Sequence, residues 1–321
     1  MLNLCIIFGG KSSEHEVSIM SARSIYKNIN RGKYRLHMIK IEKSGGWSYL
    51  GEEFDGDGAE ISIGDLEKYN IDVVFPVLHG KFGEDGTIQG LFEIMGIPYV
   101  GSGVVGSAVC MDKCVAKLLF ESVGIPKAAW VTVRKGEDRT REVESWLGFP
   151  CFVKPANAGS SVGVSKVKDI KELRAGIAAA FEHDDKVLVE KAIKGREIEC
   201  SVMGNVNPVA AEVLGEIVPA NEFYDYEAKY QNASSKLIIP ADLPNKTAEL
   251  IKEYAIQAYK TCECKGLARV DFFVTDGGRI YLNEINTMPG FTDISMYPKL
   301  WIESGLQYSD LIDKLIELAR E

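Results

Sequence analysis

A multidomain α/β protein with an α+β C-terminal part is predicted by three observations. The chain has 321 residues, more than one ordinary core accommodates. Its first hundred residues alternate apolar runs with helix-like segments, as a mainly parallel sheet requires. Its later part sets strands in succession and includes a hairpin turning at Gly277–Gly278.

Residues 2–8 are a short apolar run closed by Gly9–Gly10, which reads as a buried strand. A helix is expected over 14–28, with Ser13 and Glu16 spaced as a capping box. Strands follow at 34–41 and 72–78, then a helix at 87–95. A long helix should begin near Asp112 and stop at Gly124-Ile-Pro126. Strands at 150–153 and 162–167 flank a Gly/Ser-rich loop, and Asp169 and Glu172 cap a helix over 169–181. Strands at 187–193 and 197–203 precede an aperiodic stretch, 219–240, of the kind that serves as a lid. Helices over 247–261 and from about 309 flank the hairpin.

The net charge of −9 argues against nucleic acid as the main partner. No run approaches a membrane span, and the first residues lack the basic region of a signal peptide. Seven cysteines without a CxxC pair suit a reducing cytoplasm and a packing role, the close pairs Cys110/Cys114 and Cys262/Cys264 included.

Four local patterns carry chemistry. Gly101-Ser-Gly-Val-Val-Gly106 has dinucleotide-fingerprint spacing, but its preceding strand is very short and the acid twenty residues on, Glu121, falls inside a helix. A hinge is the better reading, and a Rossmann oxidoreductase the weaker alternative. The loop at Gly159–Gly163 joins two strands and lacks the Gly-Lys-Ser/Thr of a Walker loop, yet its amides suit phosphate, with Lys154 beside it. Its bland alternative is a flexible hairpin. Lys113 opposes the macrodipole at a helix start, which a bound phosphate or simple solvent screening would explain. Glu14 and His79 stand at the carboxyl edge of the first sheet, where α/β proteins bind ligands; dipole compensation and a backbone-satisfied histidine are the structural alternatives.

In the hairpin, a turn centred on Gly277–Gly278 sets Asp271 opposite Glu284 and Arg269 opposite Asn286. All four share one face, while Val270, Phe272, Val274, Tyr281 and Ile285 share the apolar one. Opposed carboxylates roughly 5 Å apart repel, and an all-oxygen set with Asn286 suits Mg²⁺. A solvated face neutralised by Arg269 is the alternative.

Seven segments in order resemble the D-alanine–D-alanine ligase family of the ATP-grasp superfamily. They are Gly9-Gly-Lys-Ser-Ser-Glu-His-Glu-Val-Ser18, Leu78-His-Gly-Lys-Phe-Gly-Glu-Asp-Gly86, Met111-Asp-Lys113, Lys154-Pro with Gly159-Ser-Ser-Val-Gly163, Glu222-Phe-Tyr-Asp-Tyr-Glu-Ala-Lys-Tyr230, Ala268-Arg-Val-Asp271 and Glu284-Ile-Asn-Thr-Met-Pro-Gly290. The resemblance spans the chain. It implies an ATP-grasp fold with an N-terminal Rossmann-like domain (1–103), a central subdomain (104–190) and a C-terminal domain (191–321) whose lid is 219–240. It implies ATP-dependent ligation of two D-alanines through a D-alanyl phosphate, for peptidoglycan precursors, by a cytoplasmic homodimer.

The resemblance also assigns roles. Glu190, Lys191 and Ile193 would meet adenine, and Glu197 the ribose. Lys113, Lys154, Gly159 and Ser161 would hold phosphates. Asp271, Glu284 and Asn286 would bind two Mg²⁺ ions, with Mn²⁺ as a substitute. Glu14, Ser160 and Tyr230 would hold the first D-alanine, and Arg269 with Gly290 the tetrahedral oxyanion. Lys229 and Ser295 would grip the second carboxylate, with His79 orienting a carboxylate. Lys229–Tyr230 and Ser295–Met296 follow the dipeptide pattern, rather than that of relatives using D-lactate or D-serine. A non-catalytic Mg-ATP-binding protein is the alternative of another class.

Overall fold

A computed structural model describes residues 1–218 and 236–321. Its described strands form three sheets. The first holds β1 (Leu2–Gly9), β2 (Tyr34–Ile41), β3 (Trp47–Gly51), β4 (Ala59–Ile61) and β5 (Val73–Val77) in the order β4-β3-β2-β1-β5. β1 runs parallel to both neighbours and is buried from Leu4 onward, so from there its sequence is apolar instead of alternating. β3, half-buried, and β4, largely exposed, add an antiparallel edge that the sequence reading does not contain.

Helices α1 (His15–Asn28) and α2 (Thr87–Met95) accompany this sheet. At α1 the cap position falls on Glu14 rather than Ser13, and Glu16 pairs with Lys43 at 2.8 Å. The buried face of α1 carries serines with definite partners. Ser18 Oγ accepts from the Gly9 amide at 2.6 Å and donates to the Val77 carbonyl, tying together the strand ends that border the cleft.

α3 (Val104–Met111) and α4 (Lys113–Ser122) lead onward. The glycine pattern at 101–106 opens α3, so it is more than a hinge. A Cβ at Gly106 would lie 2.6 Å from the Glu263 carbonyl oxygen, and one at Gly266 would lie 2.9 Å from the Gly101 nitrogen. These glycines let two backbones touch. Asp112 caps α4 by accepting from the amides of Cys114 and Val115, both at 3.1 Å.

The second sheet comprises β6 (Trp130–Arg134), β7 (Cys151–Pro155), β8 (Ser165–Val167) and β9 (Lys186–Lys191), all antiparallel, in the order β6-β9-β7-β8. Helix α5 (Ile170–Ala180) opens as expected. Asp169 accepts from the Glu172 amide, and Glu172 accepts from the Lys168 amide, each at 2.8 Å.

The third sheet contains β10 (Arg196–Met203), β11 (Val209–Ala210), β12 (Gly215–Val218), β13 (Lys236–Ile238), β14 (Leu267–Val274) and β15 (Ile280–Asn286). β13 lies inside the stretch expected to be aperiodic and pairs with β12. Helix α6 (Asn245–Thr261) packs on β10, β14 and β15 through Ile251, Ala255, Ala258 and Tyr259. Helices α7 (Met296–Glu303) and α8 (Tyr308–Leu318) close the chain.

Side chains of α7 and α8 share one core with the first sheet and α1. Phe291, 2 % exposed, sits at that junction, with its ring centroid 5.8 Å from Phe75 and 5.5 Å from Tyr297. Its burial fixes the loop that carries Gly290. Truncating such a ring costs about 3–5 kcal/mol. All seven cysteines are free and buried, and Cys110 and Cys264 stand 3.6 Å apart, in line with a packing role. Among the described residues no helix is long and apolar enough to cross a membrane.

Candidate active site

A cleft of about 1210 Å³ is lined by the second and third sheets and by loops at the edge of the first, which bring Glu14, His79 and Glu84. Its floor is the β14–β15 hairpin. Asp271 pairs with Glu284 and Arg269 with Asn286, as the register count requires. The turn, however, is one residue longer than expected: Thr275 and Arg279 close it, and Phe272 pairs with Leu282, Phe273 with Tyr281 and Val274 with Ile280. An irregularity between Asp271 and Phe272 restores the register just before the acids. One consequence reverses an expectation. Leu282 and Ile280 face the core, while Tyr281 joins the cleft lining.

Arg269 organises the acids. Its Nε and Nη2 donate to the two oxygens of Asp271, each at 2.8 Å, and Nε stands 3.1 Å from Glu199 Oε2. Asn286 Nδ2 donates to Asp271 Oδ2 at 2.9 Å. Glu199 lies two residues beyond Glu197 on β10 and is only 5 % exposed. Sequence reasoning missed it, although β alternation places it on Glu197's face. Among the described residues no three His, Cys, Asp or Glu side chains converge as a metal site. The donor set at the hairpin is therefore two carboxylates and one amide. That set of oxygen donors would suit a hard divalent cation.

The opposite wall carries the cations. Lys113 Nζ donates to the Ala158 carbonyl at 2.6 Å, reaching from the start of α4 to the β7–β8 loop. In that loop Ser160 and Ser161 have φ of 49° and 59°. Two successive left-handed residues turn neighbouring amides toward one side, as an anion nest does. Lys154, on β7, pairs with Glu190 Oε1, and Lys117 Nζ lies 2.8 Å from Glu190 Oε2. Burial opposes ionisation of Glu190, but the charges of Lys117 and Lys154 hold its carboxyl down at about 2. Burial likewise opposes the Lys154 ammonium, while Glu190 and then Glu284 hold its pKa above the ordinary value. Lys191, Ile193 and Glu197 line the cleft where β9 passes into β10, and Lys191 Nζ donates to the Phe149 carbonyl at 3.1 Å.

Glu14, 7 % exposed, accepts a hydrogen bond from Ser160 Oγ, so the start of α1 meets the β7–β8 loop here. Gly80 (φ 72°) and Gly159 flank the carboxylate. A Cβ on either would sit 2.8 or 3.0 Å from Glu14 Oε2. Ser295 Oγ accepts from the Thr292 amide at 3.0 Å, and a Cβ on Gly290 would approach it to 2.8 Å. Met296 is buried, with its thioether against Gly215. Lys229 and Tyr230 lie outside the described residues.

His79 is placed differently from a carboxylate-binding cation. Its Nδ1 donates to the Met288 carbonyl at 3.0 Å, and Nε2 faces Ser21 Oγ at 3.3 Å. Burial holds the imidazole below the ordinary histidine range against the pull of Glu14. The neutral ring fastens the end of β5 to the 288–291 loop.

Glu84, which the sequence reading did not single out, also lines the cleft and accepts from the Gly80 and Met288 amides at 2.7 and 3.3 Å. Burial and the Glu14 charge push its carboxyl up to about 8 from an ordinary 4.5. Between those values the folded protein keeps a proton that the unfolded chain releases, so stability falls as pH rises through that window. Thermal melts of the ligand-free protein from pH 5 to about pH 9 should show that fall. Glu84→Gln should remove it, whereas parallel profiles would contradict the assignment.

A cleft between two antiparallel sheets, with a glycine-serine loop on one and opposed acids on the other, is the ATP-grasp arrangement, and the protein has that fold. More narrowly, the chain belongs to the D-Ala-D-Ala ligase family: the model described as D-ala D-ala ligase N-terminus matches residues 3–102, and that described as D-ala D-ala ligase C-terminus matches 119–317. A D-alanine–D-alanine ligase of Acetivibrio thermocellus is 52 % identical over 98 % of this chain and 94 % of its own. That of Clostridium acetobutylicum is 51 % identical over 98 % and 97 %. Among solved structures, the VanG D-Ala:D-Ser ligase from Enterococcus faecalis superposes with a TM-score of 0.91 at 39 % identity, covering 99 % of each chain. The D-alanine-D-alanine ligase from Coxiella burnetii gives 0.88 at 37 %, covering 99 % of this chain and 95 % of its own.

Proposed function

We propose that the protein joins two D-alanine molecules into D-alanyl-D-alanine, converting ATP to ADP and phosphate, and so supplies a peptidoglycan precursor. One observation carries the reading. Glu14 and Ser160 meet at the mouth of the same cleft that holds the Asp271–Glu284 pair, so an ammonium site and a phosphate site adjoin.

The first D-alanine sits with its ammonium at Glu14, and its carboxylate oxygen attacks the γ-phosphorus, releasing ADP. The amine of the second D-alanine then attacks the carbonyl of that acyl phosphate, and the C–O bond to phosphate breaks. Arg269 and the Gly290 amide stabilise the oxyanion between those events. Lys113, Lys154 and the amides of Gly159–Ser161 hold the phosphates in line, so positioning supplies much of the rate. Glu190 and the backbone at Lys191 and Ile193 take adenine, and Glu197 takes the ribose. Ser295 and Lys229 grip the second carboxylate, and Tyr230 completes the Glu14–Ser160 link from the lid.

Asp271, Glu284 and Asn286 are the residues that would hold Mg²⁺, as two ions, or Mn²⁺ in its place. When bound, such ions neutralise charge on the β- and γ-phosphate oxygens. Units 1–103, 104–190 and 191–321 with its lid then contribute Glu14, the phosphate loop and the acidic face respectively. The cytoplasm is the setting, in keeping with seven free cysteines, and a homodimer the assembly.

The buried Met296 thioether favours D-alanine over D-serine in the second site, with discrimination of only about 1–3 kcal/mol. The test measures phosphate release with D-alanine, D-serine, D-lactate or L-alanine and weighs the products. D-Alanine should give the dipeptide. ADP formation indifferent to D-alanine would defeat the proposal.

A further inference from the structure

Lys117 is almost completely buried, at 2 % exposure, yet it borders the cleft. It stands one helical turn beyond Lys113 on α4, so both lysines project from the same side of the helix. Its Nζ lies 2.8 Å from Glu190 Oε2 and 6.0 Å from the centre of the Trp130 ring. The contact with Glu190 is an ion pair, without the alignment of a hydrogen bond.

Glu190 therefore has two cations on one carboxylate: Lys117 on Oε2 and Lys154 on Oε1. The two cations differ in freedom. Lys154 is 16 % exposed and adjoins the phosphate loop, whereas Lys117 has nowhere else to go. A nucleotide whose phosphates recruit Lys154 withdraws it from Oε1. An ionised carboxylate left alone in this setting would be costly and would take up a proton. With Lys117 still in place, Oε1 is vacated while the group stays charged, an acceptor for an exocyclic amine.

From this we infer that Lys117 is a positioning residue for base recognition: it keeps Glu190 anionic and oriented after Lys154 moves to phosphate, and thereby favours a 6-amino over a 6-oxo purine. This rests on the reading that ATP occupies the cleft with its base at Glu190. A 6-oxo purine presents an acceptor to Oε1, and two acceptors repel. A Glu190 that has become protonated offers a donor as well and discriminates less.

The experiment measures equilibrium binding of ATP and of inosine triphosphate, without D-alanine, to the wild type, Lys117→Met, Glu190→Gln and the double variant. Wild type should prefer ATP. Lys117→Met should weaken ATP binding on the order of 10- to 100-fold, the worth of a hydrogen bond to a charged group, and pull the ATP/ITP ratio toward one. In the Glu190→Gln background the same change should have little further effect, because Lys117 acts through Glu190. Glu190→Gln with Lys117→Met removes both partners of the pair and serves as the folded reference should Lys117→Met alone prove unstable. An unaltered ATP/ITP ratio in Lys117→Met, or an equal loss with and without Glu190, would overturn the inference. Wild-type protein that binds neither nucleotide would instead overturn the nucleotide reading itself.

Discussion

Glu284→Gln is expected to abolish turnover, by on the order of 10³-fold or more, while the protein stays folded. The substitution keeps shape and removes one of the two negative charges that face each other across β14 and β15. Two consequences of opposite sign follow. Negative charge that would hold the Mg²⁺ offsetting the phosphates is lost, so phosphoryl transfer should fail. Repulsion between opposed carboxylates is also relieved, so the melting temperature should stay level or rise slightly. Steady-state rates and a thermal melt on the same preparation check both. Wild-type activity in this variant would remove the hairpin from the reaction.

Arg269→Gln should be damaging on two counts. As an oxyanion donor, its loss should cost about 10²–10³ in kcat. Structurally, Arg269 is the cation between Glu199 and Asp271, whose side chains are 7 % and 15 % exposed, and it is itself 17 % exposed. Removing one partner from a buried pair typically costs about 3–5 kcal/mol. Arg269→Lys should recover part of the stability but little of the rate, because an ammonium cannot reproduce the two-pronged contact with Asp271. Chemical denaturation and kcat for both variants separate the two effects. A Lys variant as fast as wild type would show that the fork is dispensable.

Much of this site was legible because strand periodicity and charge are local properties. The facing of Asp271 and Glu284 followed from counting outward from Gly277–Gly278, although two departures compensated. The turn is longer than two residues, and the irregularity after Asp271 takes up the difference. Nothing in the sequence marks that irregularity, which is why Tyr281 was assigned to the core and Leu282 was left out of it. Strands β3, β4, β6 and β12 escaped notice because runs of five residues or fewer carry too little periodicity to stand out.

Three charged groups stayed hidden for another reason. Glu84 is unusual only through burial beside Glu14, a contact between distant segments. Lys117 draws its meaning from β9, far along the chain. Glu199 had a local signal, the two-residue step from Glu197, and could have been found. The start of α1 was placed one residue early: Glu14, not Ser13, holds the cap position, and Glu16 pairs with Lys43.

The central claim is that the first D-alanine is activated by phosphoryl transfer to its own carboxylate. D-Alanine labelled with ¹⁸O in the carboxylate tests it directly, with the released phosphate weighed by mass spectrometry. Attack on the γ-phosphate followed by cleavage of the acyl C–O bond leaves one carboxylate oxygen on phosphorus. The account predicts one ¹⁸O in each phosphate released with the dipeptide, and phosphate free of label would contradict it.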